Sequence, residues 1–445
     1  MGYLMRSDQF RCWTVRLAGG LLAVVLLGLA AARVQQAVLL GVVDGDDFTP
    51  YWNGARSVSL GESPYAWTRE PRSQELTDYI YPPLLALLLA PAAAQLDYAT
   101  ARWGWLVVNV ACLAAAAGLV WRATGLTAQG RPGLALVAAL GLVPSTMAAL
   151  ATGQLSLVLL LMLSLGYAAL RAGHAGWAGA WVAIAASLKS FPGLVAAYFL
   201  LRGQWRALGG GLLGGGLVGV ASALVLGPSV YATYLAEVVP RQSRWFAGPF
   251  NVSLTGLWQR LLAEQAFTVP VMAANELARA LTLVSCAAVV AVTAHAVWRT
   301  RAQPVGAAFG SLVVAALLVS PITGWYAVPI ALLPLAIASA RVQATWPHGL
   351  RPLLIASVLL GMPTDFCDLA SVQAYCLSLG PERWGELPWR HGWGTLLSTG
   401  PLAGLLLLWG LLLAQCYAAP AAAPAAVPRR SSPPRARPVS DPHLS

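Results

Sequence analysis

Apolar runs of about 15 to 25 residues recur along this chain, split by short connectors that carry Arg, Gly or Pro. Such a pattern leaves few folds open. In hydrocarbon every backbone N–H and C=O must be satisfied within the chain, so repeated runs of this length form spanning helices. Composition agrees: 58% of the 445 residues are hydrophobic and 10% charged, against roughly 25% charged in soluble domains. The fold class expected is an all-α polytopic membrane protein.

Taken in order, the runs place spans near 17–42, 103–121, 133–149, 154–170, 176–188, 192–201, 207–227, 277–298, 305–320, 326–340, 350–363 and 395–417, about twelve transmembrane helices in all. The run from Leu84 to Leu96 is too short to span and is bounded by Pro82 and Pro83 and interrupted by Pro91, which suits a re-entrant or interfacial segment. With that choice Arg6, Arg11, Arg16, Arg122, Arg131, Arg171, Arg202, Arg206, Arg299, Arg301, Arg341, Arg351 and the tail arginines Arg429, Arg430, Arg435 and Arg437 fall on one side. The positive-inside bias makes that side the cytoplasm and the location the cytoplasmic (plasma) membrane, with both termini inside. Residues 1–417 then form one transmembrane domain with outer loops at 44–81, 227–276 and 363–394, and the Pro- and Ala-rich stretch 418–445 is a disordered cytoplasmic tail.

The net charge of +11 does not point to nucleic acid, because the basic residues stand singly at the ends of apolar runs. The N-terminal arginines before Leu17 imitate a signal peptide, but the apolar run outlasts one and no small-residue cleavage site precedes Asp44, so an uncleaved first helix is expected. Cys12, Cys112, Cys286 and Cys416 lie in or beside apolar segments as small hydrophobes. Cys367 and Cys376 share a polar outer loop and are a candidate pair.

Ionisable groups near a bilayer are costly and so informative. Asp44, Asp46 and Asp47 crowd together after the first span, and like charges raise the pKa of at least one carboxyl, as a general base needs; a solvated loop accounts for them as well. Lys189 is the only lysine among 28 basic residues. It sits at an outer helix end, where positive charge is disfavoured, and its compact ammonium suits a phosphate; snorkelling is the plainer account. Gly153-Gln154 and Ser320–Tyr326 lie at outer helix ends too, and Arg241 and Arg244 beside Trp245 and Phe246 can hold a phosphate and stack on a sugar. No nucleotide-binding glycine fingerprint, P-loop, metal-ligand cluster or nucleophile elbow is present, so no cofactor is expected.

The ordered set Asp47-Phe48-x-x-Tyr51, Gly61-x-x-x-Tyr65, Tyr79-x-Tyr81-Pro82-Pro83-Leu84, Gly153-Gln154, Lys189-x-x-Pro192, Asn251-x-Ser253-Leu254 and Ser320-Pro321 resembles glycosyltransferase family 87 over roughly residues 40 to 340. The resemblance implies a GT-C-type bundle with an extracytoplasmic active site. Such enzymes move a hexose, commonly mannose, from a polyprenyl-phosphate sugar donor to a lipid-linked or glycan acceptor. On that footing Asp47 is the catalytic base, with Asp46 the neighbouring candidate; Lys189, Arg241 and Arg244 bind the donor phosphate. Tyr51, Tyr81, Gln154, Asn251, Ser253 and Tyr326 are the substrate-binding positions. The leaving group is already anionic, so cations are needed where charge develops and a general acid is not. One departure concerns the sugar: Ile322-Thr323-Gly324-Trp325-Tyr326 holds no histidine where mannose-transferring relatives carry them. An aminosugar or arabinose transferase of the same superfamily, and a polytopic lipid or solute transporter, are the alternatives; paired halves and midplane polar residues would mark a transporter.

Overall fold

The computed structural model describes residues 47–66, 78–125, 142–265, 267–345, 349–365 and 386–418, with single positions between 21 and 35 and residue 383. Asp44, Asp46, the Cys367–Cys376 pair, Arg131 and nearly all of the tail lie outside the described residues, as does most of the first span. Regular structure among the described residues is helical, and β contacts are confined to isolated bridges such as Asn251 to Gly324.

The principal helices are α1 (Phe48–Ser59), α2 (Pro83–Gln95), α3 (Tyr98–Thr124), α4 (Val143–Thr152), α5 (Ser156–Arg171), α6 (Ala175–Leu188), α7 (Ala196–Leu201), α8 (Trp205–Leu226), α9 (Leu254–Leu262), α10 (Asn275–Arg299), α11 (Ala307–Val319), α12 (Leu332–Thr345), α13 (Leu350–Leu360) and α14 (Gly400–Tyr417). Among the described residues five helical stretches, Tyr98–Thr124, Trp205–Leu226, Asn275–Arg299, Trp325–Val342 and Gly400–Tyr417, are long and apolar enough to cross a bilayer, and α4 with α5 would make a sixth as a span bent by 118°. The protein is therefore a polytopic membrane protein. The expected dozen is not reached by length, because α6, α11 and α13 are apolar helices of 14, 13 and 11 residues. Breaks at Gly and Pro shorten them: Gly153 in the left-handed region (φ 71°) ends α4, and Pro192 follows the end of α6. The run from Leu84 to Leu96 is α2, opened by Pro83 at its first position.

Glycines set the packing of α6 on α8. A Cβ on Gly210 would stand 2.0 Å from the Gly176 carbonyl, and one on Gly179 would stand 1.7 Å from that of Ala207. Further along, Gly214 meets Ala180 and Gly215 meets Ala183. Contacts advance in the same direction on both helices, so the pair is parallel and the chain from Ser190 to Gln204 must run back across the bundle. Lys189 thereby lies at one end and Arg202 at the other. Arg202 donates to the carbonyls of Thr300 (3.1 Å), Arg301 (2.9 Å) and Gln303, and a cavity beside them brings Thr124, Arg171, Arg341 and Gln415 together. Among the described residues, Arg171, Arg202 and Arg341 of the predicted set gather at one end of the bundle, opposite Lys189.

Candidate functional site

The site begins with α1. Asp47 precedes it as N-cap, yet its carboxylate makes no bond to the helix it caps, although capping is the usual role of Asp there. One face of α1 is buried by aromatic packing: Phe48 lies 5.9 Å from Trp105 and 5.8 Å from Tyr98, and Tyr51 meets Tyr81 edge to face at 4.8 Å. The Tyr51 hydroxyl donates to Gln154 Oε1 at 3.2 Å. Gln154 is presented by the left-handed turn at Gly153, whose carbonyl accepts the Trp105 indole N–H at 2.6 Å. The Gln154 amide nitrogen is buried and faces the Tyr81 hydroxyl.

The Tyr79-x-Tyr81-Pro82-Pro83 motif is an anchor as well as a wall. The Tyr79 hydroxyl donates to the Pro82 carbonyl at 2.5 Å and accepts the Ala86 N–H at 3.1 Å, serving the first turn of α2, where Pro82 offers no side-chain cap. The Tyr65 hydroxyl donates to the Tyr81 carbonyl at 2.5 Å and its ring stacks on Tyr234. Tyr81 is held from both sides.

Lys189 closes the site from the far end of α6. It is extended (φ −150°, ψ 130°), in the turn between two apolar segments and outside both; the following Phe191–Val195 is a 3-10 turn begun around Pro192. Its ammonium stands 5.6 Å from the centre of the Tyr81 ring and 5.8 Å from that of Tyr326, within range for cation–π attraction. The Asp47 carboxylate interacts electrostatically with Lys189, Tyr51, Tyr81 and Tyr326 alike. Burial lowers the Lys189 ammonium to about 8, opposed by the attraction of Asp47. Burial, then the neighbouring Tyr81 and Asp47, raise the Tyr51 phenol well above its usual value. A carboxylate and an ammonium thus interact beside three tyrosine rings. Asp47, Tyr51, Tyr81, Gln154, Lys189 and Tyr326 are brought together from five separate segments.

The remaining predicted positions fall elsewhere. Asn251 is fully buried and uses its whole hydrogen-bonding capacity within the protein. Its Nδ2 donates to the carbonyls of Phe246 and Pro321, each at 2.9 Å, and its Oδ1 accepts the N–H of Ser253 (3.2 Å) and Thr323 (3.0 Å). Ser253 caps α9, accepting the Gly256 N–H at 3.1 Å. Both belong to a clip joining residues 250–253 to 321–325, reinforced by Val252 N–H to Thr323 (2.8 Å) and Trp325 N–H to Phe250 (2.9 Å). The clip sets Phe250 against Tyr326. Arg244 stands 4.0 Å from the buried Asp78 carboxylate and over the Trp245 ring, and Arg241 is exposed. Gln242, between them, donates to the Ile80 carbonyl at 3.0 Å and bonds Tyr234, which also bonds Ser190.

Two fully buried arginines escaped the sequence reading. Arg102, 0% exposed, lies over the Phe48 ring at 5.7 Å and donates to the Ala151 carbonyl. The signal was available: it is a basic residue immediately ahead of the span expected at 103–121. Arg260 donates to the carbonyls of Gly248 (3.1 Å) and Asn251 (2.6 Å) and braces the clip. Nothing in its spacing marks it.

A helical membrane bundle that gathers a carboxylate, an ammonium and tyrosine rings at one end defines the class, a polytopic membrane protein. The model of glycosyltransferase family 87 matches residues 79–321, more than half of the chain, and the chain belongs to that family. It is accordingly a membrane glycosyltransferase. The match begins at Tyr79, so Asp47 and α1 precede it and are joined to it by the contacts above. Neither the curated proteins nor the solved structures contain a match to the chain.

Proposed function

We propose that the enzyme transfers a hexose, mannose foremost, from a polyprenyl-phosphate sugar to a lipid-linked or glycan acceptor at the extracytoplasmic face of the cytoplasmic membrane. The observation that supports this reading is the electrostatic pairing of Asp47 with Lys189 beside Tyr51, Tyr81 and Tyr326. Asp47 takes the proton of the acceptor hydroxyl as that oxygen attacks the anomeric carbon; the bond from that carbon to the phosphate oxygen breaks, and the polyprenyl phosphate leaves with the electron pair. Lys189 stands where an ammonium stabilises the developing charge. Tyr51, Tyr81 and Tyr326 supply rings and hydroxyls for a sugar, and the Gln154 amide nitrogen beside Tyr81 supplies a donor. The gathering of Arg171, Arg202 and Arg341 at the other end supports an outward-facing site, by the positive-inside bias.

The test supplies purified protein with a panel of polyprenyl-phosphate sugars and nucleotide sugars and follows which is consumed. Consumption of one polyprenyl-phosphate hexose is the expected result. Consumption of nucleotide sugars alone would sink the proposal.

A further inference from the structure

The arginine-bearing end of the bundle holds a cavity of about 230 Å³ that takes no part in the chemistry above. Arg171 and Arg341 line it, with Tyr167, Thr300, Gln303 and Gln415. No Asp or Glu does so among the described residues. The start of α11 faces it through Gly306, Ala307 and Ala308. In the first turn of α11 the N–H groups of Phe309 and Gly310 turn back to the Gly306 carbonyl (2.9 and 3.1 Å), while those of Ala307 and Ala308 have no carbonyl earlier in the helix to bond. Two amide donors, the positive end of a 13-residue helix and two guanidinium groups therefore converge on one space.

A second, independent observation concerns Gln415, which is 1% exposed. Gln415 lines the cavity; its Nε2 donates to the Ala338 carbonyl at 3.1 Å, and its buried Oε1 accepts nothing. A buried acceptor of that kind calls for a donor from a ligand, at a cost otherwise of about 1–3 kcal/mol. The rim is fixed: Arg202 bonds the turn between α10 and α11 through three carbonyls, and the Thr300 hydroxyl closes α10 on Ala296 at 2.7 Å.

We propose that this cavity binds a phosphate group carrying a neighbouring hydroxyl, the chemistry of a phosphoglycerol headgroup. The phosphate lies against Arg171, Arg341 and the amides of Ala307 and Ala308, and the hydroxyl donates to Gln415 Oε1. The group can come from an anionic phospholipid of the adjoining leaflet or from a soluble glycerol phosphate. Basic pockets between membrane helices hold anionic headgroups by the same forces.

The experiment is native mass spectrometry of the full-length protein in a neutral detergent, with phosphatidylglycerol, phosphatidylcholine or glycerol 1-phosphate added. Retention of one phosphatidylglycerol, at least tenfold preferred over phosphatidylcholine, is expected, and so is a tenfold or greater loss in Arg171→Gln/Arg341→Gln and in Gly306→Asp. A Cβ at Gly306 enters open space, so the Asp variant tests the site even where the double variant fails to fold. Arg299→Gln, at the same end but stacked on Tyr417 outside the cavity, should keep the lipid. Displacement by glycerol 1-phosphate would identify the soluble ester as sufficient, and persistence of the lipid would assign the source to the membrane. Equal retention of both lipids, undiminished binding by monodisperse Gly306→Asp, or an equal loss in Arg299→Gln would each overturn the proposal.

Discussion

The Trp105 indole N–H donates to the Gly153 carbonyl at 2.6 Å, and this bond fastens α3 to the turn that presents Gln154. The same turn touches α1. A Cβ at Gly153, besides being strained at φ 71°, would stand 2.8 Å from the Phe48 side chain and 3.1 Å from the Arg102 guanidinium. Gly153→Ala is therefore expected to displace α1 and Asp47 with it. Transfer should fall by tenfold or more, with about 1–2 kcal/mol of stability lost, read from product formation and thermal unfolding in detergent. A variant with native activity would separate this turn from the placement of Asp47.

Asp47→Asn keeps the shape and removes the base. Turnover should drop by about 10²- to 10⁴-fold, while insertion and unfolding temperature stay close to the parent values, because the amide keeps the shape of the carboxylate and no helix-capping hydrogen bond is lost. Retention of most of the activity would exclude Asp47 as the base.

The pH profile should carry the signature of Lys189. The ammonium is charged below about 8, so binding of an anionic donor is strongest there and weakens as pH rises through that value. Above it, kcat/KM for the donor should fall about tenfold per pH unit from loss of one proton. Lys189→Gln should start lower and lack this alkaline limb; a profile unchanged by the substitution would count against a phosphate contact.

Asn251→Ala tests the clip. It leaves the Thr323 N–H and the Pro321 carbonyl without their partner, at a cost of about 1–3 kcal/mol for buried groups. The unfolding temperature should drop, and donor use should suffer through Tyr326, which the clip positions. Normal stability with a selective rise in KM would instead make Asn251 a substrate ligand.

How far the chain could be read in advance differs from element to element. Asp47 and Lys189 stood out as charges beside helix ends, and Gln154 and Tyr326 as polar or aromatic groups at the termini of apolar runs, whereas Tyr51 and Tyr81 came only with the family resemblance. Asn251 and Ser253 looked the same, yet their partners are main-chain groups about 70 residues later, which no local pattern reveals. Arg102 was hidden by a span boundary drawn one residue too late. The count of spans depended on length, and length fails where Gly153 and Pro192 cut apolar stretches into pieces shorter than a bilayer.

The clip also has a consequence in time. Asn251 is bonded to Pro321, 70 positions further along the chain, so it waits on the ribosome for roughly 4 to 14 s at 5–20 residues per second. Until α11 has been inserted and Tyr326 has followed, the nascent enzyme holds its carboxylate and its lysine without the wall that encloses them. Assembly of the site is a late event of biogenesis, and a chain stopped before Pro321 would be a membrane protein with half a pocket.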